Sequence, residues 1–273
     1  MSGNSPTRVA VSGAGGRMGK TILRLAEASP DLQVVAALEA PGHPTVGEDS
    51  GQLAGVAGNG VPVTDDARAA FGDADVVIEF TLPGPSLDHL RVAAEMQCAA
   101  VLGTTGFNEE EQAELNGLSQ RIPLLRASNM SLGITVLTEV VEDVARRLGA
   151  GFDIELVETH HRKKKDAPSG TALTLGEAAA RGRGANLDKW ANHGRSGIVG
   201  ERPDDEIGIM ALRGGDVVGD HTVYFYGIGE RLELTHRAHS REAFASGAVQ
   251  AAHWLAGRPA GLYSIRDVLF GTA

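Results

Sequence analysis

Apolar and polar positions follow one rhythm in the first half of the chain and another in the second. Thr7 to Ser12 (TRVAVS) is a short apolar run that reads as a strand. Met18 to Ala28 then repeats its apolar positions at helical spacing until Ser29-Pro30 ends the helix. Leu32 to Leu38 (LQVVAAL), Ala74 to Thr81 (ADVVIEFT), Ala99 to Leu102 and Ile122 to Leu125 are further short apolar runs, predicted as strands. One intervening helix starts near Pro85 and runs to Gln97. Another is opened by Asn108-Glu109-Glu110-Glu111, where Asn108 can cap the first N–H groups and the acids complement the helix dipole. Residues 41 to 60, rich in Gly, Pro and Asp, read as a loop. Alternating strands and helices predict a parallel, doubly wound sheet.

Past Met130 the pattern changes. A helix from about Ile134 to Leu148 is followed mainly by strands: Phe152 to Thr159, Ile207 to Leu212, Thr222 to Tyr226 and Arg231 to Thr235. Turns at Gly214-Gly215 and Gly227-Ile228-Gly229 point to antiparallel or mixed pairing. Gly182 to Asp205 reads as a long loop, and Arg241 to Leu255 as an amphipathic helix. The 273 residues suffice for two domains, with a first boundary near Met130.

Composition narrows the function. The formal charge of −10 argues against nucleic acid as a partner, so any anion site has to be built locally. Met1 to Arg8 lacks an apolar leader segment and the apolar runs are far shorter than a bilayer span. Neither a signal peptide nor a membrane segment is expected. The single cysteine, Cys98, lies in the apolar run Met96 to Leu102 and reads as a small buried hydrophobe. A reducing, cytoplasmic location fits. No metal site is expected.

Candidate chemistry begins at Gly13-Ala14-Gly15-Gly16-Arg17-Met18. Gly13 permits a tight turn, Gly15 lets the backbone approach a pyrophosphate, and the following helix offers unpaired N–H groups. The third glycine of the usual fingerprint is missing: Met18 holds that position and Gly19 follows. By itself this is also an ordinary strand-to-helix turn. A cofactor is favoured because the loop directly follows the first strand. In addition, Glu39 ends the second strand twenty residues past Gly19, where a ribose-binding acid belongs. Gly103-Thr104-Thr105-Gly106 and Ala127-Ser128-Asn129-Met130 follow later strands in the same way, at the sheet edge where ligands bind; taken alone, either could also be an ordinary turn.

The most informative stretch runs Glu158-Thr159-His160-His161-Arg162-Lys163-Lys164-Lys165-Asp166-Ala167-Pro168-Ser169-Gly170-Thr171-Ala172. A solvated basic loop or a nucleic-acid patch would need neither adjacent histidines nor apolar structure on both flanks. The run ends at a helix start, where Ser169 or Thr171 can cap and backbone N–H groups can receive an anion. Lysines and histidines beside such a start suit a carboxylate substrate, and a lysine can donate a proton where charge develops.

Together these segments resemble the dihydrodipicolinate reductase family, also called 4-hydroxy-tetrahydrodipicolinate reductases. The resemblance rests on Val11 to Gly19, on Gly103 to Phe107 and on Glu158-x-His160-His161-x-x-Lys164-x-Asp166-x-Pro168-Ser169-Gly170-Thr171-Ala172, and it extends over essentially the whole chain. It implies a Rossmann domain carrying an inserted α+β, mixed-sheet domain that forms a homotetramer. On this chain those are residues 1–130 with 241–273, and residues 131–240. It implies that Gly13 to Met18 hold the pyrophosphate and Glu39 the adenosine ribose, with Gly103, Thr104, Thr105 and Ala127 to Met130 on the nicotinamide side. His160 and Lys164 match the acid/base and proton-donor positions; His161, Ser169, Gly170 and Thr171 match the substrate-carboxylate positions. It is the family spacing that selects Lys164 among three consecutive lysines. The substrate would be a small dicarboxylate. Where relatives often carry arginine after the ribose-binding acid, this chain has Ala40-Pro41, so NADH is expected as the preferred cofactor with NADPH possible. Two other functions compete. Another amino-acid dehydrogenase would share the glycine loop but leave the His-His-x-x-Lys run unexplained. A regulator that binds NADH without turnover could lose His160 and Lys164, and both are present.

Overall fold

The structure is a computed structural model that describes residues 5–271; the first four residues of the polar Met1 to Arg8 stretch lie outside it. The chain divides into two compact units, Met1–Ser131 with Arg241–Ala273, and Leu132–Ser240. The first contains β1 (Thr7–Ser12), α1 (Arg17–Glu27), β2 (Leu32–Leu38), α2 (Ser50–Leu53), β3 (Val63–Thr64), α3 (Ala67–Gly72), β4 (Val76–Glu79), α4 (Pro83–Met96), β5 (Ala99–Leu102), α5 (Glu109–Ser119) and β6 (Pro123–Arg126). The second contains α6 (Leu132–Leu148), β7 (Asp153–His160), α7 (Gly170–Gly182), α8 (Leu187–Trp190), β8 (Ala191–Asn192), β9 (Ile207–Arg213), β10 (Gly219–Gly227) and β11 (Glu230–Ala238). The chain then returns to the first unit as α9 (Glu242–Leu255), β12 (Gly261–Tyr263) and α10 (Ile265–Phe270).

All pairings in the first sheet are parallel, in the order β12-β6-β5-β4-β1-β2-β3. Its strands read as unbroken apolar runs because helices cover both faces: Val9, Ala10 and Val11 of β1 and Val76, Val77 and Ile78 of β4 are fully buried. The chain order reverses between β1 and β4, which makes the carboxyl ends of those strands the place for a ligand. α5 has the expected start: Asn108 accepts from Glu111 N–H at 2.9 Å, and Glu111 accepts from Asn108 N–H at 2.7 Å. Cys98 is buried, and that burial pushes its thiol up to about 12, as suits an inert hydrophobe.

In the second unit β10 runs antiparallel to β7 and β11, while β7, β9 and β8 run parallel. The sheet is therefore mixed. α6 and α7 bury Leu137, Val141, Leu175 and Ala179 on one of its faces, against Ile154, Leu156, Ile209, Val223 and Phe225. The smallest elements escaped the periodicity. The 41–60 loop contains α2, the Gly182 to Asp205 loop contains α8 and β8, and β3, α3, β12 and α10 gave no signal. Pieces of two to six residues span less than two helical turns or a few strand residues, too little for a period to register.

Candidate active site

The first unit gathers its sites at the carboxyl edge of the parallel sheet. β1 leaves the sheet at Gly13, whose φ of +74° is open to glycine at little cost. Gly13 and Ala14 N–H donate to Leu38 C=O at 2.9 and 3.0 Å, so the loop is tied to the end of β2. Gly16, at the N-cap of α1, supplies no side-chain cap, and the first N–H groups of that helix remain for an anion. The tight packing normally served by the third fingerprint glycine falls to Gly19: a Cβ there would collide with Gly13 O and lie 2.8 Å from Ala14 Cα. Glu39 turns toward the loop, its Oε2 accepting from Gly15 N–H at 2.8 Å and its Oε1 from Ala40 N–H at 2.9 Å. Gly13, Gly15, Gly16 and Glu39 line one cavity of about 560 Å³, together with His43, Phe80, Thr81 and His89.

A second cavity of about 260 Å³ brings together Met18, Gly103 and Ala127 to Met130 with Phe80 and Phe244. Phe80 lines both cavities, and its ring lies where a Cβ on Gly103 would be. Beneath them is a polar network built on Glu79, which is fully buried at the end of β4. Its carboxylate accepts from His89 Nδ1 at 2.8 Å, Thr81 Oγ1 at 2.5 Å and Ser86 Oγ at 3.0 Å. Burial, the largest influence, pushes this carboxyl up; the donors, His89 foremost, outweigh it and hold it below the usual range. The hydroxyl of buried Thr104 serves the same network, accepting from Thr81 N–H at 3.0 Å and lying 2.8 Å from Ser86 Oγ; Thr105 is exposed.

In the second unit the basic stretch folds around one carboxylate. Glu158, near the end of β7, is fully buried and receives four donors. Its Oε2 accepts from His160 Nδ1 at 2.6 Å and from Arg213 at 2.7 Å; its Oε1 accepts from Ser169 N–H at 2.9 Å and from Arg213 at 2.8 Å. Burial again pushes the carboxyl up, but Arg213, His160 and the Ser169 N–H together hold it below its ordinary value. Arg213 also donates to Asp166 C=O at 2.7 Å, which closes the loop over the pair. Ser169 caps α7 by accepting from Ala172 N–H at 3.2 Å, and His221 Nε2 lies 3.0 Å from the same hydroxyl. Burial, reinforced by nearby His160, lowers the pKa of His221 to about 4, so it is neutral at ordinary pH. Lys164 is partly sheltered, with Nζ 2.9 Å from Asp166 Oδ2, whereas Lys163 and Lys165 are exposed. A Cβ built on Gly170 meets nothing within 4 Å, so the start of α7 is open at that position.

Family models for dihydrodipicolinate reductase match nearly the whole chain, the N-terminal model over residues 7–130 and the C-terminal model over residues 133–269. The chain belongs to the dihydrodipicolinate reductase family. It is an oxidoreductase. The 4-hydroxy-tetrahydrodipicolinate reductase of Anaeromyxobacter sp. is 52% identical to it, over 96% of this chain and 97% of the relative. That of Citrifermentans bemidjiense is 48% identical, over 96% and 98%. Among solved structures, a dipicolinate-bound dihydrodipicolinate reductase from Paenisporosarcina sp. TG-14 shares the fold with a TM-score of 0.76, covering 97% of this chain and all of that one at 24% identity.

Within this dihydrodipicolinate reductase fold, Gly13, Gly15, Gly16 and Glu39 share one cavity and Met18, Gly103 and Ala127 to Met130 another. His160, Ser169 and, through Arg213 and Asp166, Lys164 belong to the Glu158 network. Sequence reasoning passed over Phe80, His43, Glu79 and Arg213. Phe80 could have been found from its place at the carboxyl end of a predicted strand. His43 lay in a supposed loop, and Arg213 meets Glu158 through the pairing of β7 with β9, which puts Arg213 opposite His160.

Proposed function

We propose that the chain reduces 4-hydroxy-tetrahydrodipicolinate to tetrahydrodipicolinate in lysine and diaminopimelate synthesis, the 4-hydroxyl leaving as water while one hydride and one proton are taken up, with NADH preferred and NADPH accepted. The observation that carries this reading is the Glu158 node, which joins His160, the Ser169–Gly170 turn and Arg213 on one buried carboxylate. Bound reduced nicotinamide supplies the hydride. Gly13, Ala14, Gly15, Gly16, Arg17 and Met18 form the pyrophosphate loop: the internal bonds of Gly13 to Gly16 hold its shape, the Arg17 and Met18 N–H groups at the start of α1 receive the anion, and Glu39 accepts from the adenosine ribose. Each Glu39 oxygen keeps a further acceptor site beyond its backbone donor. Gly103, Thr104, Thr105, Ala127, Ser128, Asn129 and Met130 shape the nicotinamide side.

On the substrate side, the open first turn of α7 at Gly170 and Thr171, with Ser169 and His161, receives a carboxylate. His160 is committed through Nδ1 to Glu158, so its acid/base work falls to Nε2. Lys164, held by Asp166, is the proton donor. The preference for NADH follows from Glu39. Two unit charges about 4 Å apart interact by about 4 kcal/mol at an effective dielectric near 20, and two backbone N–H groups keep this carboxylate from turning away from a 2′-phosphate.

The outer face of the second sheet supports a homotetramer: Leu212 and Tyr226 are 53% and 38% exposed, and Tyr224 stacks on Tyr226 at 5.6 Å. Light scattering at micromolar concentration should give four times the chain mass; a monomer would contradict this. The substrate reading is tested by pyridine-2,6-dicarboxylate, a planar mimic of the substrate ring. It should compete with substrate, and an enzyme untouched by it at millimolar concentration would overturn the carboxylate site.

A further inference from the structure

The loop after Glu39 turns back on itself. Ala40-Pro41-Gly42-His43 is a type II turn, with Pro41 at the position that suits its fixed φ and Gly42 at φ +75°. His43 N–H donates to Ala40 C=O at 3.0 Å and closes it. The turn returns the His43 side chain to the glycine loop. A Cβ built on Gly15 would lie 2.7 Å from His43 Cε1, 3.0 Å from Glu39 Oε2 and 3.1 Å from Thr45 Oγ1, so the three side chains converge on one point of the cavity wall. The ring is anchored by one nitrogen: Nδ1 lies 2.8 Å from Thr45 Oγ1 and accepts from Thr45 N–H at 3.4 Å. A backbone N–H can only donate, so Nδ1 is the acceptor and the ring proton sits on Nε2.

We infer that His43 is the group that receives the 2′-phosphate of NADPH, its Nε2–H donating to a phosphate oxygen, in a chain that lacks an arginine after the ribose-binding acid. This rests on the proposed placement of the adenosine ribose at Glu39. It accounts for acceptance of both cofactors. Glu39 favours the free 2′-hydroxyl, and when that hydroxyl is phosphorylated a hydrogen bond from the neighbouring imidazole Nε2–H to the charged phosphate offsets the repulsion. His43 then sets specificity without touching the reacting atoms.

The test compares two adenosine fragments by calorimetry, adenosine 2′,5′-bisphosphate and adenosine 5′-monophosphate, on the wild type, His43→Ala and Arg17→Ala. His43→Ala should weaken the bisphosphate by about tenfold or more, the loss expected when a hydrogen bond to a charged group is removed. It should leave the monophosphate within about twofold. In steady state the KM for NADPH should rise with kcat unchanged, and the NADH constants should hold. Ala40→Arg in the same background should restore the bisphosphate. Equal losses for both fragments would make His43 a mere wall of the pocket, and a bisphosphate loss in Arg17→Ala alone would move the role to Arg17; either overturns the inference. If neither fragment binds the wild type, it is the adenosine site at Glu39 that fails.

Discussion

Replacing Glu158 with Gln changes one group at the node of the second unit's hydrogen-bond network. Four donors converge on the two Glu158 oxygens, two on each. A Gln amide, whichever way it is flipped, must turn its NH₂ toward one pair of them. Removing one partner of a buried ion pair costs about 3–5 kcal/mol. Arg213 keeps 21% of its side chain exposed and can rehydrate in part, which puts the loss near the lower end of that range. The pH dependence has a definite sign. The folded-state pKa of Glu158 lies below its unfolded value, so its contribution is complete above the unfolded pKa, about 4.3. It is lost as pH falls through the native pKa. Urea unfolding followed by Trp190 fluorescence in a Trp254→Phe background reports on the second unit. The wild type should lose stability below about pH 4, and Glu158→Gln should begin weaker and show a flatter acid limb. His160 also loses the acceptor that fixes its ring, so kcat should fall on the order of 10²- to 10⁴-fold. NADH affinity should stay as it was, because Glu158 lies in the second unit. A variant with the wild-type acid limb, or with kcat within a few-fold, would refute Glu158 as the organising carboxylate.

Lys164→Ala should cut kcat by roughly 10²- to 10⁴-fold, while Lys163→Ala and Lys165→Ala, both at exposed positions, should be mild; stopped assays on the three variants decide it. Gly170→Val puts a side chain into the open space at the start of α7, and it should abolish pyridine-2,6-dicarboxylate binding by calorimetry with little change in melting temperature. Ala40→Arg should shift the kcat/KM ratio toward NADPH, and an unchanged ratio would mean that another group already sets the preference.

The doubly wound sheet was legible because its strands are continuous apolar runs and its helices long enough to show a period. The glycine loop was legible because it is local: Gly13, Gly15 and the start of α1 adjoin in sequence. Other features depend on contacts between distant residues. Gly19 takes over the close-packing role only once α1 lies against the end of β1. His43 reaches the cavity at the glycine loop through a turn inside a stretch that shows no periodicity. Glu158 stood in the signature stretch, yet its role needs Arg213 from β9, brought close by strand pairing that sequence spacing does not encode. Lys164 could be chosen from three lysines only by resemblance; the structure distinguishes it by its partial burial and by Asp166.

The most direct test is absorbance at the reduced-nicotinamide band, with purified protein, NADH and the freshly formed product of a coupled dihydrodipicolinate synthase. NADH should be consumed only when that product is present, and the loss should stop with Lys164→Ala and with pyridine-2,6-dicarboxylate. Binding of NADH with no oxidation under these conditions would contradict the account.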